Sequence, residues 1–499
     1  MAVGHDQLPA KIYKDTSESL CHTICRLINL SYKTSTFPAT LKHAIVKPVF
    51  KNKGSLEDPQ FYRPLSILTV LSKIFEKSAK HQITSYLEEH GKLYESQHAY
   101  RKHHSTTTSL AEITDYLHKE IEEKRIPAIV STDLSKAFDT VSHPLLLQKL
   151  EKMGLGSDCT SWIQSYLSNR TQVTSFPGQT SDVCTIESGV PQGSILGPIL
   201  FIAFTTDLAK EVPESKIVAY ADDAAILVSA SNLETLQTRI EKILQQVQEW
   251  YTSNGLLINP SKTEYMVLGK GNIMEINVKE GDNNIPIQSK KHLKVLGVTI
   301  DQRLSWNEHV TTIKKKTTNA IRNIARTSAI LPLKSRQMLT EALVTPHYNY
   351  CDVVYDGCSE KAKNNLQRNQ NYAARALLGR SKYSSATEAL KQLNWLPLEK
   401  RRKLHTAVFV HKAVHSKSSK HAIHMVEGLR PQHTYRTRQV ETGYLYNKTH
   451  RTAQLEKSIS YRSTKVWNEV PSDLRMMSSA TAMKSKWQGR EIDNFKTIN

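Results

Sequence analysis

Two adjacent carboxylates, Asp222 and Asp223, stand in VAYADDAAIL (218–227) between apolar runs that would otherwise continue as a buried strand. A third, Asp133, follows the mostly apolar stretch IPAIVST (126–132). If those strands pair, the three side chains are neighbours, because adjacent strands lie about 4.8 Å apart. Such a cluster repels itself: it raises its own pKa values or opens the sheet, and divalent cations are the natural remedy. Hard oxygen donors with few protein contacts suit Mg²⁺, which keeps waters and accepts phosphate oxygens from a substrate. Two such ions about 3.5–4 Å apart activate a hydroxyl and stabilise a departing pyrophosphate, which is nucleotidyl transfer. An Asp-Asp pair met alone in a β-turn is a solvated turn. Its apolar flanks and Asp133 weigh against that here.

The elements that must position these groups follow from pattern. Ile126–Thr132 reads as a buried strand ending at Asp133, and Ser142-His143-Pro144 opens a helix carrying Leu145, Leu146, Leu147 and Leu150. Lys216–Ala221 and Ala224–Ala230 read as a hairpin with the Asp pair at its tip. Ser231 and Glu234 form a capping box for a helix with Leu236, Ile240, Ile243, Leu244 and Val247 on one face, ended by Gly255. Strands follow at Glu264–Leu268 and Leu293–Ile300. From Trp306 the chain reads as mainly helical and strongly basic. Upstream, 9–32 reads as one amphipathic helix, with a short strand at Ala44–Val46 and a helix at Leu71–Leu87.

Gly189-Val190-Pro191-Gln192-Gly193-Ser194 precedes the helix running through Phe204. Gly189, Pro191 and Gly193 set a turn to which a template or primer backbone can come close, and Gln192 can reach a nucleotide. An ordinary loop before a helix is the competing reading.

The 499 residues carry a net charge of +20 and are 39% hydrophobic, enough for two or three domains with real cores. Residues 1–250 hold 26 Lys and Arg against 28 Asp and Glu, whereas 251–499 hold 41 against 19, so the excess is C-terminal. A surface this basic points to a polyanion, nucleic acid first. Lys314, Lys315, Lys316, Arg322, Arg326, Arg401, Arg402 and Lys403 accompany Tyr348, Tyr350, Tyr355, Trp395 and Trp467, rings that either stack on unpaired bases or fill the core. The longest apolar run, Ile195–Phe204, is too short to cross a bilayer, so no membrane role is expected. Six cysteines lack the spacing of a zinc knuckle and are expected as reduced, buried thiols in an intracellular protein.

STDLSKAFDTVSH (131–143), SGVPQGSILGPILF (188–201), VAYADDAAIL (218–227) and GLLINPSKTEYMVLG (255–269) occur in the order of reverse-transcriptase palm motifs. Upstream, FYRPLSILTVLSKIFEK (61–77) and SQHAYRKHHSTTTSL (96–110) resemble finger motifs, and HLKVLGVTIDQRLSWNEHV (292–310) the segment entering the thumb. The whole resembles the non-LTR, LINE-type branch, and NYCDVVYDG, QNYAARALLG and LNWLPLEKRR resemble the C-terminal region of jockey-like elements. The resemblance implies an α+β right-hand polymerase with fingers, palm, thumb and a mostly helical basic C-terminal region. The expected divisions are an N-terminal helical extension at 1–44, fingers at 45–125, palm at 126–304, a helical thumb-like region at 305–400 and the basic region at 401–499.

It further implies an RNA-directed DNA polymerase in which Asp133, Asp222 and Asp223, helped by the Leu134 carbonyl, hold two Mg²⁺, with Mn²⁺ as a substitute. Phe138 would stand beneath the incoming sugar and select dNTPs over ribonucleotides; without the likeness it reads as a core phenylalanine. That selection argues against an RNA-copying RNA polymerase. Lys262 matches the group that protonates pyrophosphate, and Arg63 and Arg101 match basic finger positions near the template or triphosphate; each otherwise reads as a surface side chain. Lys314–Lys316 would meet the template–primer duplex. Partners are RNA template, DNA primer or nicked target DNA, and dNTPs, in nucleus or cytoplasm. The endonuclease that precedes the polymerase in full-length elements is not expected here. The alternative is an idle remnant that only binds RNA.

Overall fold

IPAIVST forms the strand Ile126–Thr132, with the bounds its apolar run predicts. It lies inside a four-stranded antiparallel sheet. On one side it pairs with Asp223–Ala230, from Ile126 opposite Ala230 to Thr132 opposite Ala224. On the other it pairs with Glu264–Val267, with Ser131 opposite Glu264. Lys216–Tyr220 completes the predicted hairpin. Ala128, Ile129 and Val130 are all buried, so this run is continuous rather than alternating.

The computed structural model describes residues 3–52, 54–134, 136–259, 262–269, 276–280, 283–287, 289–430, 442–447 and 449–497. They divide into two units. One comprises Met1–Tyr100, Asp133–Pro213 and Ile243–Ser261; the other comprises Arg101–Thr132, Glu214–Lys242 and Lys262–Asn499 and holds this sheet.

In the second unit the helix Thr106–Glu122 packs against the sheet. Ser105 starts it with a capping box: its Oγ accepts the Thr108 N–H, and Thr108 Oγ1 accepts the Ser105 N–H at 2.9 Å. The carboxylates of this mostly buried helix are fastened. Glu112 meets Lys216 at 2.8 Å, Glu120 meets Arg125 at 3.2 Å and Ser229, and Asp115 meets His421 at 3.2 Å and the Ser460 N–H at 3.3 Å. Glu122 accepts from the backbone of Arg451 and Thr452. A single hydrophobic core runs from Leu110 and Ile129 through Trp306, Tyr355 and Val410 to Trp467 and Trp487. The chain after Trp306 is helical, as its pattern predicts.

The first unit is built on a sheet in which His43–Phe50 pairs antiparallel with Tyr62–Ile67 and parallel with Arg170–Phe176. Phe37 anchors its core, with the rings of Tyr166, Trp162 and Phe75 at 5.1, 5.5 and 6.0 Å. Gly197–Phe204 is a helix buried all round, which explains the longest apolar run in the chain.

Four expectations need correction. Leu293–Ile300 is not one strand but the hairpin His292–Val295 and Val298–Asp301, because Leu296 and Gly297 take φ of 46° and 82° and reverse the chain. The cap of the helix Leu233–Ser253 is Asn232, whose Oδ1 accepts the Thr235 N–H at 2.8 Å; asparagine caps as well as serine and stands one residue nearer. The helix expected over 9–32 breaks at Thr16 into Ala10–Asp15 and Ser17–Lys33. Of the two readings left open for the C-terminal rings, the core one holds for Tyr348, Tyr355, Trp395 and Trp467, all of them buried. Of the six free cysteines only Cys351 and Cys358 are buried; Cys21, Cys25 and Cys184 are exposed.

His118 and His309, both buried in the second unit, each keep one ring nitrogen without a hydrogen-bond partner, Nδ1 and Nε2 respectively. Burial pushes both imidazoles from 6.5 down to about 4. Between those values the unfolded chain takes up protons that the folded chain refuses. Stability is therefore full above about 6.5 and falls as the pH drops toward about 4. Thermal melts across that window are expected to show a falling Tm, with a shallower slope in His118→Gln.

Candidate active site

The second unit gathers several candidates at one end of its four-stranded sheet. Tyr220 and Asp223 form the last pair of the hairpin, and Ala221–Asp222 is its two-residue turn. Ala221 sits at φ 58°, the left-handed conformation such turns require at their first position, which costs alanine about 1 kcal/mol. Asp222 is half-buried and Asp223 exposed. The central strand stops at Thr132 opposite Ala224, and Asp133 is the next residue of the chain. On the other flank Ser131 opposes Glu264, so exposed Lys262 reaches the same sheet end. A small cleft beside Asp223 is lined by Ser109, Ser131, Tyr220, Lys294 and Leu296 among others.

Among the described residues no three His, Cys, Asp or Glu side chains are gathered into a ready-made metal cage. The donor set fits Mg²⁺ all the same: hard oxygens, accessible to solvent, for an ion that takes one or two carboxylates and completes its shell with water and phosphate.

The first unit holds the rest. The Asn259 N–H donates to the Asp133 carbonyl at 2.8 Å, and Leu134 bridges Ile258. That bridge engages the carbonyl of Asp133 rather than that of Leu134. Ser135 and the Pro260-Ser261 part of the turn before Lys262 lie outside the described residues. Phe138, half-buried, stacks on Phe201 with ring centroids 4.5 Å apart. Its carbonyl accepts the Val190 N–H at 2.7 Å, and Val141 accepts that of Gly189 at 2.8 Å, so the two motif loops are stitched together.

The glycines serve that stitching. Gly189 has φ 83°, and a Cβ there would stand 2.6 Å from the Asp139 carbonyl oxygen; one on Gly193 would strike that of Ser66. The Ser66 N–H donates to the Gln192 carbonyl at 2.7 Å, which fastens the loop to Tyr62–Ile67, the strand that carries exposed Arg63. Pro191 is buried between them.

Two residues that the sequence pattern did not single out organise this loop. Asp139 accepts from Gln192 Nε2 at 3.0 Å; burial pushes its carboxyl above the ordinary range, and the Gln192 bond pulls the other way. Glu76, fully buried in the helix Val70–Glu89, accepts the N–H groups of Ile195 at 2.7 Å and Leu196 at 3.2 Å, and Ser72 Oγ at 3.0 Å. Burial raises its pKa, and those N–H groups oppose the rise. A sequence signal existed for Glu76, since it shares the helix face of Ala79, Ile83 and Leu87. None existed for Asp139.

Phe138, Gly189, Pro191, Gln192, Gly193 and the Arg63 strand thus form one group in the first unit, and Asp222, Asp223 and Lys262 share a sheet end in the second. Arg101 opens the second unit, half-buried. Lys314, Lys315 and Lys316 are exposed on the helix Asn307–Arg326, as are Arg322 and Arg326. Arg402 instead lies buried against Asp356 at 2.7 Å, where it serves the fold. Glu76→Ala strands two buried N–H groups and is expected to lower unfolding free energy by about 2 kcal/mol or more in urea titrations, with a smaller loss for Glu76→Gln.

A family model described as reverse transcriptase (RNA-dependent DNA polymerase) matches residues 50–300. The probable RNA-directed DNA polymerase from transposon BS of Drosophila melanogaster is 25% identical over 391 residues, 76% of this chain and 43% of that protein. The RNA-directed DNA polymerase from mobile element jockey of the same fly is 26% identical over 323 residues, 63% of this chain and 35% of that one. The chain spans less than half the length of these curated relatives. A solved apo telomerase from Candida tropicalis, truncated from its C-terminal domain, aligns with a TM-score of 0.39 at 14% identity, over 53% of this chain and 54% of that one, too loosely to carry a residue across. No helix among the described residues is long and apolar enough to cross a membrane. The match runs from the strand His43–Phe50 to the strand Val298–Asp301 and takes in every aspartate and loop of the site, with the α+β fold of right-hand polymerases. The chain belongs to the reverse transcriptase (RNA-dependent DNA polymerase) family.

Proposed function

We propose that the chain is the RNA-directed DNA polymerase of a non-LTR retrotransposon, extending a DNA primer with dNTPs on an RNA template. The observation that carries this, beside family membership, is the register of the central strand. That strand stops at Thr132 opposite Ala224 and leads straight into Asp133 in the chain, and the sheet end at which it stops carries Asp222, Asp223 and Lys262.

On this reading Asp133, Asp222 and Asp223, with the Leu134 carbonyl, hold two Mg²⁺, for which Mn²⁺ can substitute. When bound, the ions supply activation of the primer 3′-hydroxyl and charge for the departing pyrophosphate. Lys262 gives that pyrophosphate a proton. Phe138, braced by Phe201, lies beneath the sugar and leaves no room for a 2′-hydroxyl. Gln192, its amide nitrogen engaged by Asp139, presents its oxygen as an acceptor to the nucleotide. Arg63 and Arg101 serve template or triphosphate oxygens with planar forks. Gly189, Pro191 and Gly193 keep the loop low beside the template, and Lys314, Lys315 and Lys316 meet the duplex backbone. An idle RNA-binding remnant gains no support, since Asp133, Asp222, Asp223 and Gln192 are all present.

Primer extension on poly(rA)/oligo(dT) with Mg²⁺ tests the proposal. Asp222→Ala is expected to lose more than about 100-fold, beyond what outer-sphere substitutions cost, and Phe138→Ala to admit ribonucleotides. RNA binding without metal-dependent extension by the parent would overturn the reading. Asp139→Ala, which removes the acceptor, should free the Gln192 amide to turn and raise KM for dNTP roughly tenfold with little change in kcat. Adding Gln192→Glu, which restores an outward acceptor and the net charge, should recover it; steady-state kinetics of the pair decide.

A further inference from the structure

The five aromatic residues that accompany the basic C-terminal sequence leave nucleic acid almost nothing to stack on: four are in the core, and Tyr350, 41% exposed, donates its hydroxyl to the Leu296 carbonyl at 2.7 Å. Two other tyrosines stand out. Tyr372 is 40% exposed and Tyr383 is 85% exposed, and neither hydroxyl has a hydrogen-bond partner among the described residues. A ring as far in water as that of Tyr383 forgoes most of the burial that usually offsets its cost. Both lie in 361–387, which holds six Lys and Arg and no Asp or Glu.

The helix Glu360–Leu377 arranges these residues. Its inward face is Ala362, Leu366, Asn369, Gln370, Ala373, Ala374 and Leu377. Lys361, Arg368, Tyr372 and Arg375 recur at intervals of seven, four and three, so they line the opposite face over a rise of about 21 Å. The loop beyond is tied back to this strip. Arg375 Nη1 donates to the Lys382 carbonyl at 3.0 Å, which holds Lys382 and Tyr383 beside the helix end, and Lys382 Nζ lies 4.9 Å from the Tyr383 ring centre. Arg380 and Lys363 are engaged, by Glu388 at 3.6 Å and Glu360 at 2.8 Å. Lys361, Arg368 and Lys382 have no ion-pair partner among the described residues.

We infer that this strip binds single-stranded RNA of about four or more nucleotides, the cations on phosphates and the two tyrosines on base faces. Bases in a duplex are already stacked and offer only phosphates to such a surface, whereas a single strand offers both. A partner recognised by charge alone would leave the rings idle. The RNA identity rests on the polymerase reading; the preference for an unpaired strand rests on the strip itself.

The test uses the full chain and fluorescence anisotropy with three probes: a labelled 12-nucleotide U-rich RNA, the matching DNA, and a 12-base-pair RNA–DNA hybrid. Tyr372→Ala and Tyr383→Ala are each expected to weaken RNA binding about five-fold or more, with little change for the hybrid. Phenylalanine at both positions should bind as the parent does. Arg368→Ala with Lys382→Ala should flatten the slope of log K against log salt by about 1.4. RNA loss, with or without equal loss on DNA, supports the strip. Unchanged RNA binding in the double tyrosine variant, an equal loss on the hybrid, or a loss confined to DNA overturns it. Primer extension on a short hybrid by the same preparations keeps the two readings apart: a parent that cannot extend sinks the polymerase reading and leaves the anisotropy result standing.

Discussion

A strand hydrogen-bonded on both sides cannot slip by one residue without turning its core side chains to the wrong face. Ile126–Thr132 is in that position, between Asp223–Ala230 and Glu264–Val267. Its buried residues fix the register along its whole length, and the register in turn fixes which residues emerge at the sheet end. Ala221 accepts a left-handed turn for the same reason: a looser reversal would shift Asp223 against its neighbour. Local discomfort at one residue is thereby exchanged for a fixed position of the next two.

Charge is divided in a way the totals do not reveal. The nearly neutral N-terminal half turns several of its acids inward, and each of them is engaged there. Glu76 ends a backbone gap before the helix Gly197–Phe204, and Glu112, Asp115 and Glu120 clamp one helix to its surroundings. Buried carboxylates are tolerable only when so engaged. The basic surplus of the C-terminal half is held outward, on Lys314–Lys316, Arg322, Arg326 and the strip that follows. Inward acids serve the fold and outward cations meet the solvent, whereas Arg402, Arg462 and Arg475 turn inward, the first two against Asp356.

Elements whose partners are local were legible. Ile126–Thr132, the hairpin and the helix His143–Lys152 announce themselves by apolar runs, turn residues and a Ser-His-Pro start. Period two identifies a strand but not its neighbour, so nothing marked the parallel pairing of His43–Phe50 with Arg170–Phe176, more than a hundred residues away. At the site, residue types carried the chemistry and ordered motifs carried the family. The bonds between loops, Gln192 to Asp139 and Val190 to Phe138, have no periodicity to betray them. The C-terminal aromatic residues stayed open between base stacking and the core, because helical spacing records that a face exists, not whether it is dry.

The helix Thr106–Glu122 has a consequence for synthesis on the ribosome. Asp115 is bound by Ser460, 345 residues downstream, and the core beneath it closes with Trp467 and Trp487. At about 5–20 residues per second, that interval lasts roughly twenty to seventy seconds. During it the side of the helix that meets the C-terminal helices lacks its native cover, although the sheet can already cover the other side, and closure of so long a loop is slow in itself. The nascent polypeptide is therefore a client for chaperones until its last helices emerge, and translation speed over the distal part of the message governs how much of it reaches the native state.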